Sequence, residues 1–245
     1  MKKSQLLNFV SRYHLAGATT SVKWEVPGNG VINTKFITDD QNVIGEGNFI
    51  TADMDAKVPM ELGVYATPQL VKMLSAVNDD VNVSIKAIDN KAISLNIQDA
   101  DMDMTFMLAD LSVIRQVPEL KNTPDWHVHI NIDKDFTTKF IKAKNALPES
   151  ENFAITCKGG QVDMIINYSS INTNRIKFSL PCNSESCSDM NVTCFSSNLF
   201  KEILTANKDA DSGSLEVSSA GLAKVSFEKA GEYKTTYYLV QLQAS

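Results

Sequence analysis

The stretch TPQLVKMLSAVNDD, residues 67–80, has a counterpart in SNLFKEILTANKD, residues 197–209, and each runs on into an alternating strand. Leu70 aligns with Leu199, Lys72 with Lys201, Ala76 with Ala206 after a one-residue gap, and Asp79 with Asp209. An earlier helical segment repeats at nearly the same spacing, Phe9-Val10 against Phe140-Ile141, so the chain reads as two similar halves about 130 residues apart. A shared order of elements at one offset marks an internal duplication and decides the fold before any single motif does.

Length and composition agree with two domains. The chain has 245 residues and 43% hydrophobic composition, enough for two packed cores. The start, Met1-Lys-Lys-Ser-Gln-Leu-Leu, is basic, but polar residues interrupt its apolar positions and no small-residue cleavage site follows, which argues against a signal peptide. No stretch approaches the roughly 18 apolar residues of a membrane span. Cys157, Cys182, Cys187 and Cys194 lack Cys-x-x-Cys spacing and are expected to be reduced thiols. The only histidines, His14, His127 and His129, lie far from them in sequence, so a zinc site is not expected.

Helical periodicity appears four times. Lys3 to Leu15 puts Leu6, Val10 and Tyr13 on one stripe, with Ser4 as a cap. Thr67 is read as a cap followed by Pro68 at the first helical position, with Leu70, Met73, Leu74 and Val77 as the stripe. Asp133 can cap Lys134 to Ala146, which Pro148 stops, and Ser196 or Ser197 can cap the last helix. Between them run alternating segments: Val81 to Ile88, Ala92 to Ile97, Ala154 to Cys157, Gln161 to Ile166, Arg175 to Leu180 and Lys234 to Gln243. Pro27 to Gly30, Asp89-Asn90, Gly159-Gly160 and Ala220-Gly221 are the turns, and Gly45-Glu-Gly47 reads as another. The class is α+β, each half carrying two helices on antiparallel sheet. Domains of residues 1–110 and 126–245 follow, joined by a Pro-containing connector, 111–125.

The net charge is −6, which taken alone speaks against nucleic acid. Sorting the charge by element reverses that. The four helical spans hold Lys2, Lys3, Arg12, Lys72, Lys134, Lys139, Lys142, Lys144, Lys201 and Lys208 against two acids, Asp135 and Glu202. Thirteen basic and twenty-seven acidic residues remain for everything else. At about 100° per residue, Lys72 and Lys201 fall opposite their apolar stripes, and Arg12 also falls away from its own. A surface segregated in this way suits a polyanion held without sequence preference, lysine meeting phosphate as a point charge. No aromatic residue is interleaved with these cations on the outer helix faces, so duplex backbone fits better than a stacked single strand.

At this point the chain resembles the sliding clamps of T4-type tailed bacteriophages. The resemblance is carried by Val64-Tyr65 leading into 70–80, with LSAVNDD at 74–80 its most specific stretch, by FAITCKGG at 153–160 and RIKFSL at 175–180, and by the run from VSFE at 225–228 to YYLVQL at 237–242. It implies the two-domain DNA-clamp fold and a homotrimeric, pseudo-six-fold ring around double-stranded DNA. Helices line the hole of such a ring, sheets form its outside, and it tethers the phage DNA polymerase. It further implies a clamp-loader ATPase complex as a partner, no enzymatic activity or cofactor of its own, no membrane partner, and the cytoplasm of the infected bacterial host as the location. The ten cations named above would then be the DNA-binding residues. The strand 102–108, with Asp101, Asp103 and Phe106, would meet Arg175, Lys177 and Phe178 of a neighbouring subunit, edge to edge. Val113, Ile114, Val117 and Tyr238 would line the polymerase pocket, although ordinary packing of the connector explains them equally well.

Two other readings stay open. A clamp-like factor acting as a monomer or dimer would carry the same duplication. Asp99, Asp101 and Asp103 could hold metal for DNA cleavage, or simply face solvent on an edge strand. As a calcium loop they fail, because Met104 stands where the turn needs glycine and Asp110 where a glutamate belongs. No phosphate-binding loop or serine-hydrolase elbow is present.

Overall fold

A computed structural model describes residues 1–51, 59–120, 122–180 and 187–242. Cys182 and Gln243, both named above, lie outside them. The chain divides into two compact units, residues 1–118 with 230–235, and residues 119–229 with 236 onward. The division falls after Pro118, so the first part of the 111–125 connector goes with the first unit. Its packing explains why: Ala109 N–H donates to Gly63 O at 2.9 Å, and Ile114 is buried.

The first unit runs α1 (Lys3–His14), β1 (Val22–Val26), β2 (Val31–Ile37), β3 (Val43–Ile50), β4 (Met60–Val64), α2 (Thr67–Ala76), β5 (Asn82–Ile88), β6 (Lys91–Gln98) and β7 (Asp103–Met107). Strands in it are ordered β4-β1-β2-β3 and β5-β6-β7, antiparallel throughout. The second unit runs β8 (Val128–Asn131), α3 (Lys134–Ala146), β9 (Asn152–Lys158), β10 (Gln161–Ile166), β11 (Ile176–Leu180), β12 (Met190–Ser196), α4 (Ser197–Ala206), β13 (Ser212–Ser218), β14 (Leu222–Lys229) and the 236–240 part of β15 (Tyr233–Val240). Its orders are β12-β9-β10-β11 and β8-β13-β14-β15. The four-strand order is the same in both units, so the duplication seen in sequence is a duplication of topology.

Periodicity places the cores. In β1, Val22, Trp24 and Val26 turn inward while Lys23 turns out and bridges Glu25 and Glu61 at 2.8 and 2.7 Å. Helix α1 lays Phe9 edge-on against Trp24 of β1, ring centroids 5.2 Å apart, and α3 lays Phe140 edge-on against Phe153 of β9 at 5.4 Å. Phe9 and Phe140 are matched positions of the repeat, so each half docks its first helix through the same aromatic joint. Within each unit the second helix packs beside the first.

Helix ends differ in part from expectation. Asp133 caps α3, accepting from Phe136 N–H at 2.7 Å, and Ser196 caps α4 through Leu199 N–H. Ser4 does not cap α1: Lys2 precedes the helix, and Ser4 N–H donates to Asp79 Oδ1 instead. Helix α2 begins at Thr67, one residue before Pro68, with Ala66 in the left-handed region. Gly45-Glu-Gly47 is not a turn but the middle of β3, where the Phe36 ring occupies the space a side chain at Gly45 would need.

Candidate nucleic-acid interface

The ten helical cations do not share one environment. Lys72 of α2 and Lys134, Lys139 and Lys142 of α3 are exposed, as is Lys208 beyond the end of α4, and Lys201 is half-buried. On α3 the outward stripe is Asp135, Thr138, Lys139, Lys142 and Asn145, opposite the buried Phe136, Phe140 and Ala143. Lys139 also lies 5.6 Å from the centre of the Phe178 ring of β11. Lys134 and Lys208 sit among acids, lining one cleft with Asp133, Asp135 and Asp211.

Two of the ten are corrected by the structure. Arg12 is buried, 4% exposed, its guanidinium stacked over the Tyr233 ring within the first unit. The sequence carries no local signal of this, because residues 230–235 reach the first unit only in the folded chain. Lys144 is likewise 4% exposed, and its ammonium donates to Pro148 O at 2.8 Å, closing the turn that ends α3. Burial, and next the charge of Lys201, hold its pKa below the ordinary lysine value. Lys2 and Lys3 are turned to their own unit. Lys2 pairs with Asp80 at 2.5 Å and Lys3 donates to Val77 O at 2.6 Å.

The two strands nominated for subunit contact are both sheet edges among the described residues, β7 ending β5-β6-β7 and β11 ending β11-β10-β9-β12. An edge strand presents unpaired N–H and C=O groups and must be covered, charged or paired. Asp103 begins β7, Asp101 lies in the loop before it, and Arg175 immediately precedes β11; all are exposed. Phe106, by contrast, is buried, 4% exposed, because alternation along β7 puts it on the face opposite Asp103. Lys177 pairs with Asp163 of its own sheet at 2.7 Å, and Asp163 also accepts from Ser179 Oγ at 2.8 Å. Desolvation opposes the ionised Asp163, yet these donors leave its carboxyl below the usual range.

Of the residues proposed for a partner pocket, Val113 is exposed, Val117 and Tyr238 are half-buried, and Ile114 is buried against Gly63. Ile114 therefore packs the connector rather than lining a site. The sequence reading missed what holds that segment: Lys91 pairs with Asp110, which also accepts Ser112 N–H, and Arg115 donates to Thr38 O and Asp39 O at 3.3 and 3.2 Å.

Asp99 is engaged structurally: Asn78, Asp101 and Met102 donate backbone N–H groups to its carboxylate, which lowers its pKa. No group of three or more His, Cys, Asp or Glu residues is placed to hold a metal among the described residues. Cys157 and Cys194 are free thiols, but Cys187 is disulfide-bonded, against the expectation that all four would be reduced.

No protein-family model and no curated protein matches the sequence. Solved structures do match, over nearly the whole length of both partners. A Proliferating Cellular Nuclear Antigen (PCNA) of A. fulgidus, solved with the C-terminal region of FEN-1 bound, aligns at TM-score 0.76 and 14% identity, covering 100% of this chain and 98% of that one. A chain of the PCNA2-PCNA3 complex from Sulfolobus tokodaii gives 0.74 and 11%, covering 98% and 97%. The Entamoeba histolytica PCNA gives 0.73 and 15%, covering 99% and 96%. The chain has the two-domain clamp fold of PCNA type, with four α-helices on antiparallel sheets among the described residues.

Proposed function

We propose that this chain is a DNA sliding clamp, a processivity factor that closes as a homotrimeric ring around duplex DNA and tethers a replicative polymerase. The observation that carries the proposal is the likeness to PCNA chains, which spans 98–100% of this chain and 96–98% of those chains. Two features of the chain support it. Lysine faces outward from the helix pair of each unit, Lys72 in the first and Lys139 and Lys142 in the second, and among the sheet edges of the described residues β7 carries exposed acid and β11 exposed base. A head-to-tail contact between unlike edges closes into a ring when its rotation permits.

The PCNA of Sulfolobus tokodaii forms a complex of PCNA2 with PCNA3, and that of A. fulgidus binds the C-terminal region of FEN-1. By analogy, subunit assembly and capture of a partner's tail are proposed here. The resemblance in sequence to T4-type phage clamps makes a tailed-phage polymerase and its ATP-hydrolysing loader the proposed partners, and the infected bacterial cytoplasm the proposed location. In this role the chain retains DNA by topology and needs no catalytic group.

Solution mass over a range of concentrations tests the proposal. The expected species has three times the 27.0 kDa of the chain, and once loaded on circular DNA it is released by linearisation. A monomer or dimer at every concentration overturns the trimer and leaves the clamp-like factor that holds DNA on one basic face.

A further inference from the structure

The halves match in topology but not in the charge they offer. In the first unit the outward stripe of α1 is Ser4, Gln5 and Asn8, all neutral, and Arg12 is folded inward. Lys2 is neutralised by Asp80, Lys3 is committed to the Val77 carbonyl, and α2 adds only Lys72. In the second unit α3 projects Lys139 and Lys142, one turn apart on the exposed stripe, and the adjoining α4 places Lys201 near the buried Lys144. Lys144 cannot reach a phosphate, but its charge adds to the field over Lys201 and works through a poorly screened interior.

We infer that the DNA grip of each subunit is concentrated on the α3–α4 face of the second unit, with Lys139, Lys142 and Lys201 meeting phosphates, while the α1–α2 face of the first unit is a largely neutral runner. This rests on the clamp reading. A ring of such subunits presents alternating adhesive and neutral sectors to the duplex instead of a uniform positive lining. Fewer phosphates gripped at once mean a weaker hold at any register and easier passage along the backbone.

The test is equilibrium binding of a fluorescein-labelled blunt duplex of about 30 base pairs at several salt concentrations, followed by anisotropy. The double variant Lys139→Gln/Lys142→Gln is expected to weaken binding about tenfold at low salt and to flatten log K against log salt by about 0.9 for each phosphate it no longer neutralises. Lys3→Gln/Lys72→Gln is expected to cost about threefold at most. Lys139→Arg/Lys142→Arg keeps the charge and should bind as the native protein does, which separates an effect of charge from an effect of misfolding. Equal weakening by the two Gln pairs, or none from the α3 pair, overturns the asymmetry and leaves the clamp intact. Native protein that binds no duplex at low salt overturns the asymmetry, since no sector then grips phosphate; the clamp reading, which holds DNA by topology, falls separately, on solution mass and release by linearisation.

Discussion

The guanidinium carbon of Arg12 lies 3.5 Å from the centre of the Tyr233 ring, and both residues are buried in the first unit. A cation at that range over a desolvated aromatic face gains about 2 kcal/mol or more, and its aliphatic stem packs as well. Arg12→Ala is therefore expected to lower unfolding stability by about 2–4 kcal/mol in urea titration. It should leave the salt dependence of DNA binding unchanged, because the side chain never reaches the surface. A variant of native stability with a flattened salt slope would return Arg12 to the DNA-binding set.

Residues 109–115 form a strap whose Ala109 N–H donates to Gly63 O at 2.9 Å. An ideal Cβ at Gly63 would stand 2.5 Å from the Ala109 carbonyl oxygen, so any side chain there must push the strap's backbone away. Gly63→Ala is expected to cost about 1–3 kcal/mol and to speed amide exchange in 109–115, measured by hydrogen–deuterium exchange. Arg115→Ala, which removes only the bonds to Thr38 O and Asp39 O, should speed exchange near 115 with little change in global stability. Unchanged exchange in both variants would mean that other packing holds the strap.

Lys144 yields a pH prediction with a definite sign. Its pKa in the folded chain lies below the unfolded lysine value, because burial and then Lys201 disfavour the charged form. Between the two values the unfolded chain holds a proton that the native chain has released, so stability rises with pH in the window below 10.5. Comparison with Lys144→Met cancels the other titrating groups. The native protein should gain on the variant as pH climbs through that window, and Lys201→Gln should shrink the gain. Parallel stability curves would show that the fold leaves the Lys144 pKa at its unfolded value.

These corrections show where sequence reasoning stops. Asp133 as the α3 cap and the strands 161–166 and 82–88 were legible because caps and alternation are local. Although Phe106 was assigned to the subunit joint, its buried face was legible in the two-residue period that sets it opposite Asp103. Arg12 and Gly45 were not: a helical wheel cannot know that Tyr233 arrives from the far end of the chain, and a glycine pair reads as a turn until the Phe36 ring is seen above it. Lys144 was hidden for a different reason. Its partner, Pro148 O, is a main-chain atom whose position depends on how the 147–150 turn folds back.

The edge contact proposed between subunits can be tested by charge exchange. Asp103 beside β7 and Lys177 on β11 are both exposed, so either reversal places like charges across the proposed joint. Lys177→Glu also disturbs its own sheet, because Asp163 lies 2.7 Å away; Asp163→Asn, which breaks that pair and keeps Lys177 for the joint, measures the disturbance within the sheet. Asp103→Lys and Lys177→Glu are each expected to weaken the trimer in equilibrium sedimentation by about tenfold per interface, or about 1.4 kcal/mol. The combined variant should recover most of that affinity, since opposite charges again face each other with their positions exchanged. Additive weakening in the double variant would show that these residues do not meet, and would turn attention to the backbone groups of the two open edges as the whole of the joint.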